Sequence, residues 1–376
     1  MHRHLLHQLQ HKGILAAFLV AIPLLAMPCS VPVFRYGLEH WAPDPGRVRI
    51  FHQSPLQGDA AAALMELQQA VELEPERANL TLELVDVSSS RGTDLTMDEY
   101  RSLGSPNEPW MSIRLPVSKY EGGAVWSGPL NVANVHRVLD SPARQEIVSR
   151  LSLGESAVWI LLESGDHEAD DAAALRLEKR LEYLMEGMEL PKLDDEDIRN
   201  GLVSVPEDGL RLAFSVLRLG RDDPEEEIFV RQLLASEPDL MDHSEPIAFP
   251  VFGQGRVLYA LLGDGIKSEN VDRAAAFLIG SCSCEVKEKN PGVDLIMMAD
   301  WKGVVEAGGA LPAALPTAAE ILAALPQTKT FEPSTATQSN ETSPTQGNRF
   351  AILAGILAAV LLALIVVKRP KVRAQK

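Results

Sequence analysis

The chain has 376 residues, too many for one ordinary core given that domains usually run to roughly 100–200 residues, so two globular domains are expected. A formal net charge of -17, from 52 acidic against 35 basic side chains, excludes a general nucleic-acid binder, because phosphate neutralisation needs clustered positive charge. Hydrophobic residues at 46% against charged ones at 23% describe a folded chain, and three cysteines are too few for a disulfide scaffold, so packed cores must supply the stability.

Residues 1–28 read as a signal peptide. Arg3 and Lys12 precede the apolar stretch Gly13–Met27, which falls short of the about 20 apolar residues of a spanning helix and contains Pro23. Cleavage is expected near Ala26–Pro28, and Pro28 stands where a lipoprotein signal carries a small residue before its cysteine. Residues 29–150 then form a first α/β domain: an extra helix over Pro28–Trp41, strand Arg47–His52, helix Asp59–Leu73 and alternating strand Leu80–Val87. After a polar loop come strand Trp110–Leu115, a turn at Gly122 and Gly123, strand Ala124–Trp126 and a helix from Asn131. The segment Val31–Trp41 is too apolar for water and is expected to pack on this first domain.

A second domain over 151–310 repeats the order: strand Ala157–Leu162, helix Ala169–Met188, strand Leu210–Leu219, helix Glu225–Ala235, strand Ile247–Phe252, a turn at Gly253–Gly255, strand Val257–Leu262 and helix Glu269–Leu278. Residues 311–349 form a flexible stalk, in which Gln327–Asn348 is rich in Thr, Ser, Gln and Pro and holds too little apolar surface to order itself. Phe350–Val367 has no charge or proline and spans on the order of 27 Å as a helix, the length of one bilayer crossing. Residues 368–376 carry Lys368, Arg369, Lys371, Arg373 and Lys376, so the positive-inside rule puts this tail in the cytoplasm and the domains outside it.

The strand and helix order of both segments resembles the thioredoxin fold, here as tandem thioredoxin-like domains plus one C-terminal transmembrane helix. The resemblance puts Pro109 and Pro246 where that family keeps a cis-proline ahead of its third core strand. Redox-active members carry Cys-x-x-Cys at the start of the helix after the first strand. Here those junctions read Ser54-Pro-Leu-Gln-Gly-Asp59 and Glu163-Ser-Gly-Asp-His-Glu168, so the thiolate that a helix N-terminus would activate is missing from both.

Cys282-Ser-Cys284 is the most distinctive local sequence. In extended backbone both sulfurs point to one face. The pair suits thiol exchange, soft-metal ligation, or a structural disulfide from Cys29 to Cys282 or Cys284, and we take the last ahead of the others because a C-x-C pair with no further Cys or His nearby is a weak metal signal. Pro28-Cys-Ser-Val-Pro-Val-Phe-Arg-Tyr36 and Cys282-Ser-Cys-Glu-Val-Lys-Glu-Lys-Asn-Pro-Gly292 resemble signature stretches of an uncharacterised family of exported bacterial single-pass membrane proteins with a thioredoxin-like fold lacking the Cys-x-x-Cys motif. That resemblance brings no activity with it.

Gly253-Gln-Gly-Arg256 lacks the spacing of a dinucleotide loop, and the acidic runs 194–197 and 222–227 lack the spacing of a calcium loop. The leading expectation is a non-enzymatic, membrane-tethered scaffold with no cofactor, whose extracytoplasmic domains bind an envelope protein and not nucleic acid. The alternative is a thiol-disulfide oxidoreductase or metal-handling protein acting through Cys282 and Cys284.

Overall fold

A computed structural model describes residues 29–73, 77–88, 94–116, 123–206, 209–282 and 286–307. The expected signal peptide, Cys284, stalk, transmembrane helix and tail lie outside the described residues. Among those described, no helix is long and apolar enough to cross a membrane.

The chain is mixed α/β, with two mixed sheets flanked by helices. Helix α1 (Val33–His40) precedes strand β1 (Gly46–His52), helix α2 (Gly58–Gln68) and strand β2 (Leu80–Asp86). Helix α3 (Asp94–Ser102), strands β3 (Trp110–Arg114) and β4 (Trp126–Pro129) and helix α4 (Val132–Leu139) complete the first sheet. Its order is β2-β1-β3-β4, with β1 parallel to β2, β3 antiparallel to β1 and β4 antiparallel to β3. Val48, Ile50, Met111 and Ile113 fill one face against Ala63 and Leu67 of α2 and Val135 and Val138 of α4. Strand alternation sends Arg49, Phe51 and Ser112 to the other face, where α3 covers them. Phe51 meets Tyr100 at 5.4 Å between ring centroids, and Glu99 accepts from Arg49, from Ser112 Oγ at 2.6 Å and from Arg114 Nε at 3.1 Å.

Helix α5 (Pro142–Ser152) leads to strand β5 (Ala157–Leu162), helix α6 (His167–Gly187), the short helix α7 (Asp195–Arg199) and strand β6 (Phe214–Leu219). Helix α8 (Glu227–Leu234), strands β7 (Ile247–Phe252), β8 (Arg256–Val257) and β9 (Leu261–Leu262), helix α9 (Ser268–Ile279), strand β10 (Val293–Asp294) and helix α10 (Trp301–Glu306) follow. The second sheet runs β10-β8-β7-β5-β6, with β9 also on β7, and repeats the first sheet's pairing: β5 parallel to β6, β7 antiparallel to β5, β8 antiparallel to β7. β5 is buried at every position, as a central strand covered on both faces must be. Ala157, Trp159 and Leu161 face α6 and α9, and Val158, Ile160 and Leu162 face α5, α8 and α10.

Three expectations are corrected. Val31, Val33, Phe34, Tyr36 and Trp41 enter the core of the second sheet and not the first, because α1 lies against α9 and is tied there by the Val33 amide on the Gly280 carbonyl at 3.0 Å. The polar loop before Pro109 contains α3, a helix held both by the ionic contact of Glu99 and by Tyr100 and Met97 packed against Phe51 and Val85. The strand placed at Ala124–Trp126 is β4, shifted toward Pro129, where a proline is tolerated because β4 is an edge strand.

The segment 294–299 joins the two sheets. Leu295 and Met297 pack into the second core and Ile296 into the first. Four of its amides have named partners: Leu295 N–H donates to the Gly255 carbonyl at 3.0 Å, Ile296 N–H to Gln232 Oε1 at 2.8 Å, Met297 N–H to Asn79 Oδ1 at 2.8 Å and Ala299 N–H to the Arg77 carbonyl at 2.9 Å. Asn79 Nδ2 donates in turn to the carbonyls of Leu295 at 2.9 Å and Asp44 at 3.1 Å. Close approach requires glycine at two places: a Cβ on Gly46 would stand 2.7 Å from Ile296 Cδ1, and one on Gly255, at φ +90, 2.5 Å from Met297 Cγ. Asn79→Ala orphans one amide and two carbonyls in this seam and is expected to cost about 2–4 kcal/mol in urea unfolding, since each buried group left unmatched costs about 1–3 kcal/mol. A loss below about 0.5 kcal/mol, the ordinary range for a surface substitution, would contradict this role.

Candidate functional site

The loops at the carboxyl ends of β1 and β5 are where ligands are sought first in such sheets. After β1, the peptide bends through exposed Ser54 and Pro55 into α2 at Gly58, φ +57, and no side chain caps that helix. After β5, Asp166 caps α6 through the amides of Glu168 at 3.1 Å and Ala169 at 3.3 Å. Buried Asp170 turns back to accept from Ser164 N–H at 2.7 Å, Ser164 Oγ at 2.8 Å and Gly165 N–H at 3.0 Å. The polar groups of the second junction thus satisfy one another.

The two prolines facing these junctions are also corrected: among the described residues no peptide bond is cis, so those before Pro109 and Pro246 are trans. Trans is the intrinsically favoured form by about 0.5–1 kcal/mol. Each proline carbonyl is engaged within its own hairpin, Pro109 with the Leu130 amide at 2.9 Å and Pro246 with the Gly263 amide at 2.8 Å.

Of the predicted cysteines, Cys29 and Cys282 come together in one core. Pro32 and Ser281 form an antiparallel bridge, and the Cys282 amide donates to the Val31 carbonyl at 2.8 Å. Cys29 is 6% exposed and Cys282 1%, and the two are not bonded to each other. A protein substrate has no access to a sulfur this deep. Among the described residues, no group of three or more His, Cys, Asp and Glu side chains is placed to hold a metal ion.

The densest buried electrostatics lies beyond the cysteines and was not singled out by sequence reasoning. Asp294 accepts from Arg256 Nη1 at 2.7 Å, from Lys287 Nζ at 2.8 Å and from the Asp44 amide at 2.8 Å. Lys287 also reaches Asp44 Oδ1 at 2.7 Å and the Ala42 carbonyl at 2.7 Å, and Arg256 donates to the carbonyls of Asn290, Pro291 and Gly292. Burial pushes the Asp294 carboxyl up, but Arg256, the Asp44 amide and Lys287 together hold it below its ordinary value. A second buried cation, Arg144, caps the end of α4 through the carbonyls of Val138 at 2.8 Å and Arg137 at 2.5 Å and also reaches the Ile296 carbonyl. Burial pulls its pKa down to about 10 against the pull of Asp140 and Glu226, so it stays charged at neutral pH.

Open cavities among the described residues include two near these elements. One of about 430 Å³ lies where α4 meets α5, lined by Ala133, His136, Leu139, Asp140, Pro142 and Met298. There burial pushes the Asp140 carboxyl up, opposed by Arg144, Gln145 and the Ser141 amide. The other, of about 470 Å³, follows the end of β6 and is lined by Arg221, Asp222, Val230, Arg231 and Leu234. The hydroxyl in the first cavity's wall, Ser141 Oγ, already accepts from Arg144 Nε at 3.1 Å, and His136 is engaged with Glu66 at 2.9 Å, so these two do not form a nucleophile and base.

Neither a comparison with protein families nor a search of curated proteins finds a match for this chain.

Asp294→Ala leaves Arg256 and Lys287 buried without their shared anion and is expected to cost about 3–5 kcal/mol. The pH dependence follows from the sign of the shift. A carboxyl whose folded pKa is depressed contributes its full stability above its unfolded value, near 3.8, and loses it as pH falls through the lower folded one. Unfolding free energy should therefore decline on the acid side of that value, and the decline should be shallower in Asp294→Asn. Parallel acid limbs in the two proteins would contradict the assignment.

Proposed function

We propose that the protein is a membrane-tethered, extracytoplasmic interaction scaffold built on tandem thioredoxin-like domains, without chemistry of its own. The shared strand order of the two sheets supports the fold reading, since parallel β1-β2 and β5-β6 pairs with two antiparallel neighbours are the thioredoxin arrangement. One observation carries the functional reading. At the junction after the first strand of each sheet, where a redox-active member presents its thiolate, this chain has Ser54–Gly58 and a self-satisfied Ser164–Asp170 turn. The buried position of Cys282 weighs against the oxidoreductase or metal-handling alternative, because exchange requires a thiolate within reach of its partner.

The tether rests on Phe350–Val367 and the basic residues after it. A reporter active only outside the cytoplasm should be active when fused after Gln327 and silent when fused after Lys376; the reverse pattern would overturn the topology. For the absence of chemistry, the purified chain should neither reduce insulin nor bind Cu(I) in stoichiometric amount. A cysteine-free variant that remains folded should keep the protein's cellular partner. Insulin reduction abolished by Cys282→Ser would establish the alternative instead.

A further inference from the structure

The cavity of about 430 Å³ where α4 meets α5 has the size of a small-molecule site, for which about 300–1,000 Å³ is usual. Ala133, Leu139, Pro142 and Met298 make part of its wall apolar. The charged groups of the wall are not equivalent. His136 is engaged with Glu66 at 2.9 Å, and Arg137 reaches Glu227 Oε2 at 3.1 Å, the Pro224 carbonyl at 3.1 Å and Asn134 Oδ1 at 2.6 Å, so both basic groups are already paired with acids from outside the cavity. The two acids of the wall, Asp140 and Glu225, have no ion-pair partner among the described residues.

Asp140 is the acid that matters, because Glu225 is exposed and water screens its charge. Asp140 stands at the carboxyl end of α4, where the helix dipole disfavours an anion and favours a cation. One carboxyl oxygen accepts from the Ser141 amide at 2.9 Å and the other from Gln145 Nε2 at 2.7 Å. Both donors are neutral, and each oxygen keeps room for another bond. The buried Arg144 acts on this carboxylate only at longer range, since its donors go to Ser141 Oγ and to the carbonyls of Val138, Arg137 and Ile296. Burial holds the Asp140 carboxyl above its ordinary value, a cost that a bound cation offsets.

We propose that this cavity binds an alkylammonium group, with the stem against the apolar wall and the ammonium on Asp140. A guanidinium fits less well, because its planar fork needs a carboxylate edge with both oxygens open, and Gln145 and Ser141 hold one each. Hard divalent metal ions need about six or more oxygen ligands, and among the described residues no group of three or more His, Cys, Asp and Glu is placed to hold one. A lysine side chain of another protein and a free amine present the same chemistry to this site. The site is independent of the scaffold reading, since it can be tested on purified protein.

The full-length chain in nonionic detergent, with isotope-labelled methionine methyl groups, is titrated at neutral pH with n-butylammonium and, separately, with n-butanol; Met298→Leu assigns the Met298 signal. The Met298 methyl resonance should shift saturably with butylammonium and stay in place with the neutral alcohol. Asp140→Asn should weaken binding about tenfold or more while the other methionine signals keep their positions, because a charge-assisted bond is lost. Glu225→Gln, at an exposed position, should weaken it by about twofold. Comparison of a glycine-flanked, N-acetylated lysine peptide with free putrescine identifies the source: tighter binding of the peptide assigns the site to a protein's lysine, and tighter binding of putrescine to a small amine. No saturable shift at Met298, an equal response to butanol, or unchanged affinity in a folded Asp140→Asn would overturn the proposal.

Discussion

The structure depends on a single physical constraint: an apolar strand that passes between two cores must find a hydrogen-bond partner for every buried peptide group it carries. The segment 294–299 draws partners from the flanks of both sheets, Asn79 just before β2, Gln232 on α8 and Arg144 on α5. Leu295, Ile296 and Met297 are therefore shared between the cores, since a residue period of two sends neighbours to opposite sides. Loss of the seam would leave polar groups unmatched on both sheets at once, which is costlier than exposing apolar surface alone.

The charged cluster around Asp294 belongs to the same arrangement. Lys287 and Arg256 approach from the second sheet's side and Asp44 from the entry to β1, so the carboxylate fixes the start of one sheet to the end of the other. Buried ion pairs add little net stability beyond a well-packed apolar alternative, but they are expensive to break and tolerate few other geometries. Here they select one relative placement of the sheets. The loop after β5, meanwhile, keeps a self-satisfied turn in which Asp170 accepts from Ser164 and Gly165.

Elements whose burial is symmetric were legible from sequence. Ala157–Leu162 and Ile247–Phe252 are continuous apolar runs, as central strands must be, and their bounds match residue for residue. Helix α3 was not legible, because Asp94–Ser102 buries Thr96 and Glu99 beside Tyr100, so polar side chains interrupt its apolar face. Helix α5 escaped for a similar reason, with Arg144 in the position of a core residue. The run Val257–Leu262 read as one strand but is interrupted over residues 258–260, where the Ala260 amide turns to Glu237 Oε1 at 2.7 Å. Of the sites, the Asp294 cluster was not legible, although a lone acid inside the apolar run Val293–Ala299 was a usable signal. The packing of Val31–Trp41 on the second sheet had no local signal, since an apolar segment does not specify which core it enters.

The central claim, that the seam makes the two sheets one cooperative body, is tested most directly by native-state hydrogen exchange on peptides from β1 and β3 and from β5 and β7. The slowest amides of both sheets should report one common opening free energy, and Ile296→Ala should lower both together. Two distinct free energies in the unaltered protein, with one sheet opening while the other stays protected, would contradict it.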